Sequence, residues 1–141
     1  MAGILLDTHV WLWYAEGIAD RMGPAALDPI EQARRHHQLH VSAISIWEIG
    51  VLCAKGRISL SVPVRDWIQK AIAAPGLRLN TLDAATALES TLLPGNPHGD
   101  PADRFLIAAA RNSSLTLATA DKKILDYGAA GHVKVLRIQG A

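Results

Sequence analysis

Four acids scattered through the chain, Asp7, Glu48, Asp103 and Asp121, occupy positions that local sequence directs toward one edge of a sheet. Asp7 follows the apolar run Ile4, Leu5, Leu6, and Asp121 follows a second strand-like run over 115–119. Glu48 and Asp103 fall near the starts of helices. In a parallel α/β sheet, a residue just past a strand and one in the first turn of a helix share an edge. Carboxylates gathered there repel, by roughly 3 kcal/mol per pair at about 5 Å and an effective dielectric of about 20. Such a cluster needs raised pKa values, helix N-termini or a bound cation to offset it. With an all-oxygen donor set and no Cys or His at zinc spacing, the economical cation is Mg²⁺, with Mn²⁺ as the alternative. A hard divalent ion polarises a phosphoryl oxygen and lowers the pKa of a water, which is the chemistry of phosphodiester hydrolysis.

The elements that must hold these acids are readable from start and stop signals. Asp100 is expected to cap a helix with Pro101 as its first residue, an apolar body over 105–110 and a break at Asn112, Ser113 and Ser114. Thr8 is expected to cap a helix over 9–16 ending at Gly17, and Gly23-Pro24 to open another running to His36. A short strand begins at His40-Val41. Ser42 or Ser45 is expected to cap the helix carrying Glu48, which Lys55-Gly56 stops. Pro63 opens a helix to Ala73, a strand follows over 77–82, and Asp83 caps a helix over 84–93. A short helix over 122–127 and a last strand over 133–138 complete the chain. Strands and helices alternate, which predicts an α/β fold with a mostly parallel sheet covered on both faces and a ligand site at the carboxyl ends of the strands.

Composition bounds the rest. At 141 residues, half of them apolar, the chain reads as a single domain over 1–141 with a substantial core. Fourteen basic against 13 acidic residues exclude coating of nucleic acid by bulk charge, while leaving room for a local basic contact. The single Cys53 lies in an apolar helical pattern and reads as a buried structural thiol, fitting a reducing cytoplasm. No apolar run reaches membrane-spanning length, and no basic-flanked export signal is seen.

Four segments then carry a resemblance covering nearly the whole chain: LLDTHVWLW, VSAISIWEIG with KGRISL after it, HGDPADRFLIAAA, and LATAD. In that order they resemble the signature segments of the PIN-domain superfamily, and in particular its VapC-type toxin ribonucleases. The resemblance implies a PIN-like three-layer α/β/α fold with a five-stranded sheet in the order 3-2-1-4-5. It implies a Mg²⁺-dependent endoribonuclease acting on RNA, working as a homodimer and restrained by a small VapB-like antitoxin. Position by position, Asp7, Glu48, Asp103 and Asp121 match the family's acidic quartet, with Asp7 and Asp103 assigned to the metal. Thr119 matches the hydroxyl residue accompanying the last acid. Asp100 lies in the HxDP segment, outside the quartet, and Gly23 stands where a capping Ser is usual.

Each residue also has a plainer reading. Asp103 could merely neutralise a helix N-terminus, and Ser45 with Glu48 matches a capping box. Asp7 and Asp121 could be capping acids, although a lone carboxylate between an apolar strand and an aromatic helix is costly at Asp7. His9 and His98 are expected to form surface or hydrogen-bonding contacts, and Trp11, Trp13, Trp47 and Trp67 to belong to the core or a dimer interface rather than to stack on bases. Arg34-Arg35 reads as a solvated face, whereas Lys122-Lys123, directly after Asp121, is the better candidate for RNA phosphate. A catalytically silent PIN-like module binding RNA or protein is the competing function; receiver and haloacid-type phosphatase readings fail because Asp7 lacks a neighbouring second acid.

Overall fold

In a computed structural model describing residues 3–97 and 99–139, the chain forms five parallel strands and seven α-helices among the described residues. The strands are β1 (Ile4–Leu6), β2 (Leu39–Ser42), β3 (Leu77–Asn80), β4 (Thr116–Thr119) and β5 (Val135–Arg137), in the order β3-β2-β1-β4-β5. Every pairing is parallel, so the sheet is wholly rather than mostly so. The helices are α1 (Thr8–Ala15), α2 (Pro24–Arg35), α3 (Ala43–Ala54), α4 (Val64–Ile72), α5 (Ala84–Glu89), α6 (Pro101–Asn112) and α7 (Lys122–Ala129). A short 3-10 turn at Ala19–Arg21, unforeseen in the sequence, links α1 to α2.

Strand alternation sorts the core into two layers. Ile4, Leu6, Leu39 and Val41 face one side with Trp11, Ile30, Ile49 and Trp67, where the Trp11 and Trp67 rings meet edge-on at 5.4 Å. Leu5 and Leu117 face the other, packed under Leu106, Ile107 and Ile124 of α6 and α7. Helices on both faces of a parallel sheet explain why β1, β2 and most of β4 are buried throughout.

Several boundaries differ from expectation for local physical reasons. Asp7, not Thr8, caps α1, because its carboxylate takes the Val10 N–H at 3.0 Å while the Thr8 hydroxyl is engaged with Ser45 Oγ at 2.8 Å. Ser42, not Ser45, caps α3 through the Ile44 N–H at 3.1 Å. Helix α5 ends at Glu89, short of residue 93, where the Ser90 and Thr91 hydroxyls donate to the carbonyls of Ala87 and Leu88. Such side-chain bonds compete with continuation of a helix. Gly76 has φ +83°, and an added Cβ would lie 2.2 Å from the Arg34 carbonyl oxygen, so only glycine fits between α2 and β3. Among the described residues no helix is long and apolar enough to cross a membrane.

Candidate active site

The carboxyl ends of β1 and β4 are adjacent, and the backbone N–H of Asp7 donates to the Ala118 carbonyl at 3.0 Å, extending their pairing past the strand. Asp7 and Asp121 therefore leave the sheet side by side. Helix α3 starts at the same edge because it follows β2 directly, and α6 reaches it because it runs back toward β4. Asp7, Glu48, Asp100, Asp103 and Asp121 consequently line one cavity of about 310 Å³, together with Thr8, His9, Trp13 and Ala120.

The capping and site roles coexist. Asp7 Oδ1 accepts the Val10 N–H, while Oδ2 accepts the hydroxyl of Thr119 at 2.5 Å. Thr119 is fully buried, and its oxygen also accepts the Asp121 N–H at 3.0 Å, so one hydroxyl ties two strand-end acids together. Asp121 caps α7 through one oxygen, Oδ1, which accepts the N–H groups of Lys123 at 2.8 Å and Ile124 at 3.1 Å. Asp100 caps α6, accepting from Ala102 N at 2.8 Å and Asp103 N at 3.3 Å. Each Asp7 oxygen accepts one bond, and a carboxylate oxygen has two lone-pair directions, so at Asp7 the cap leaves acceptor capacity. Glu48 sits one turn deeper than expected; α3 has no acid in its first turn, and with Ser45 inside the helix the capping-box reading of Glu48 fails.

Burial and crowding disfavour ionisation. Desolvation raises the Asp7 pKa, opposed by the bonds from Thr119 and Val10. Asp103 is pushed up to about 8, first by burial and then by the charges of Asp100, Asp121, Glu48 and Asp7. In metal-free solution this makes a signed prediction. The folded pKa of Asp103 lies above the ordinary 3.8, so its contribution is most favourable below about pH 4 and is lost as pH rises through about 8. The stability difference between Asp103→Asn and the native chain in EDTA should therefore grow in favour of Asn from about pH 4 to 8. Thermal melts across that range test it, and a pH-independent difference would contradict the burial argument.

The donor set suits a hard cation. Among the described residues no three Asp, Glu, His or Cys side chains are grouped so that they could hold a metal ion as they stand.

The remaining candidates separate. Lys122 is 90% exposed, 3.6 Å from Asp126, whereas Lys123 lines a neighbouring cavity with Asn96, Gly99 and His132. His98 lies outside the described residues. Trp11 and Trp67 are core residues and Trp13 packs partly buried against the same cluster, as expected, but Trp47 is 60% exposed and Trp13 also lines the acidic cavity beside His9. Sequence reasoning missed that wall. Its signal was the four-residue spacing of His9 and Trp13, directly after a strand-end acid, which places both on one helix face near the edge.

Comparisons with known proteins give concordant results. Residues 4–130 match the PIN domain family. Ribonuclease VapC22 of Mycobacterium tuberculosis is 35% identical over 127 residues, spanning 90% of this chain and 93% of that relative. Among solved structures, VapBC2 from Rickettsia felis bound to a promoter DNA fragment superposes with a TM-score of 0.67 at 12% identity, covering 96% of this chain and 98% of that one. FitAcB from Neisseria gonorrhoeae gives 0.63 at 21% identity, covering 95% and 96%. At these identities the structural matches speak to the fold alone.

Proposed function

Because this chain belongs to the PIN-domain family, we propose that it is a Mg²⁺-dependent endoribonuclease, with Mn²⁺ as an alternative ion, acting as the toxin of a toxin-antitoxin pair. The observation that carries this reading is the convergence of Asp7, Glu48, Asp103 and Asp121, from four separate elements, on one cavity. Their chemistry suits a hydrated divalent ion, and the relative VapC22 is a ribonuclease.

In the proposed mechanism Asp7 and Asp103 would hold the ion, with Glu48 and Asp121 as the other acids of the cavity. When bound, the ion supplies Lewis-acid polarisation of the phosphoryl group and activation of a water. Thr119 keeps the Asp7 carboxylate oriented and favours its charged form. Lys123, at the start of α7, meets an RNA phosphate beside the cleaved bond. The chain works as a single domain in the cytoplasm.

The partners follow from the same reading. A small VapB-like antitoxin restrains the enzyme, and an apolar cavity of about 250 Å³ between α1 and α4, lined by Trp11, Tyr14, Trp67 and Leu77, offers its apolar residues a seat. Trp47, Leu88 and Leu92 are each at least 60% exposed, and a homodimer contact would bury them.

The test is incubation of the purified protein with cellular RNA, with and without Mg²⁺, followed by mapping of new ends. Discrete cuts that require the ion and disappear with the co-expressed antitoxin are expected. A protein that binds Mg²⁺ and RNA yet leaves RNA intact would instead be the silent binding module.

A further inference from the structure

We propose that His9 and Trp13 form a stacking platform for a nucleobase adjoining the scissile phosphate of single-stranded RNA, an inference that rests on the ribonuclease reading. The two residues are four apart on α1, so they share a face, and their ring centroids lie 6.3 Å apart with planes inclined at 53°. Both line the cavity that carries Asp7, Glu48, Asp103 and Asp121. Val10 and Trp11 of the same helix are buried; His9 is exposed, and Trp13 is partly buried, packing against the core while its remaining surface lines the cavity. Arg21 stands over the Trp13 ring, its guanidinium carbon 5.4 Å from the ring centroid. That contact is within cation-π range.

The physical need for such a wall follows from charge. A cavity rimmed by five carboxylates repels the RNA backbone until a cation intervenes, so attraction independent of charge has to come from the bases. Aromatic faces supply it, and they do so with little regard to base identity because every base has a π-face. Duplex RNA holds its bases stacked on each other, which restricts the platform to single strands, loops or bulges. Because acids and rings share one cavity, the base engaged is a neighbour of the phosphate cleaved there.

The experiment uses the full chain, an RNA oligonucleotide cut once in Mg²⁺, and versions with an abasic nucleotide at each position around the cut. For the native protein, one flanking abasic position should raise KM about 10-fold with little change in kcat. Trp13→Ala should show about the same rise on the intact oligonucleotide, and no further penalty from that abasic position. Trp13→Phe should recover most of the loss. His9→Ala, at an exposed position where folding is not at stake, should give a partial effect of roughly 3-fold. Binding of the same oligonucleotides in Ca²⁺, followed by fluorescence anisotropy, gives a readout independent of turnover. Cleavage with an abasic penalty that persists undiminished in Trp13→Ala, or with no penalty at any position, overturns the platform. Abasic-sensitive binding that Trp13→Ala abolishes, in a protein that never cuts, supports the platform and overturns the nuclease.

Discussion

Replacing Asp103 with Asn should reduce Mg²⁺-dependent RNA cleavage by about 10³-fold, the scale of losing several kcal/mol of metal-assisted stabilisation, while leaving the fold intact. The side chain keeps its shape, and the α6 cap is made by Asp100, so no helix start depends on the residue replaced. The metal-free protein should be as stable or more so, because the lost charge is one that burial and four neighbouring acids oppose. Asp100→Asn is the control that isolates the assignment. Asn ranks with Asp as an N-cap and can still accept the N–H groups of Ala102 and Asp103, so most activity should remain even though Asp100 shares the cavity. RNA cleavage rates and calorimetric Mg²⁺ binding for both variants make the comparison. An inactive Asp100→Asn beside an active Asp103→Asn would exchange their roles, and a fully active Asp103→Asn would return that residue to helix-end neutralisation.

These two aspartates show which parts of the site were legible in sequence. The α6 start was readable because every signal is local: Asp at the cap, Pro at the first position, an acid in the first turn. Asp7 and Asp121 were readable because a buried strand that ends in an acid points to the carboxyl edge in any parallel sheet. The neighbouring Thr8 was misassigned because Asp and Thr are both good caps, and what decides between them is Ser45, 37 residues away. Glu48 could not be separated from a capping-box residue until β2 was seen to run through Ser42, moving the helix start three residues earlier and the acid into the second turn. Trp13 was assigned to the core or a dimer interface, and its place in the cavity wall was missed, because α1 is apolar almost all round and periodicity carries no information about which face meets the acids. Local chemistry and the shared edge were thus accessible, and the hydrogen-bond partner of each side chain was not.

The clearest such partner is the Thr119 hydroxyl, bonded to an acid 112 residues distant in sequence. Thr119→Val keeps the volume and the β-branch of a fully buried strand residue but removes the donor to Asp7 Oδ2 and the acceptor of the Asp121 N–H. Leaving buried polar groups unpartnered should cost about 2–3 kcal/mol of stability, read from urea unfolding. Cleavage should fall by roughly 10- to 100-fold, as for loss of other groups that orient a metal ligand. The pH dependence separates orientation from simple destabilisation. The Thr119 bond lowers the Asp7 pKa against the opposing effect of burial, so its removal raises that pKa further. If ionised Asp7 is required, the acid limb of the rate profile must move to higher pH, and raising the pH should recover part of the lost rate. Thr119→Ser restores the hydroxyl and should return the profile to its original position despite the missing methyl group. A Val variant with lower stability but an unshifted profile would reduce Thr119 to a packing residue and leave Asp7 oriented by its cap to Val10 alone.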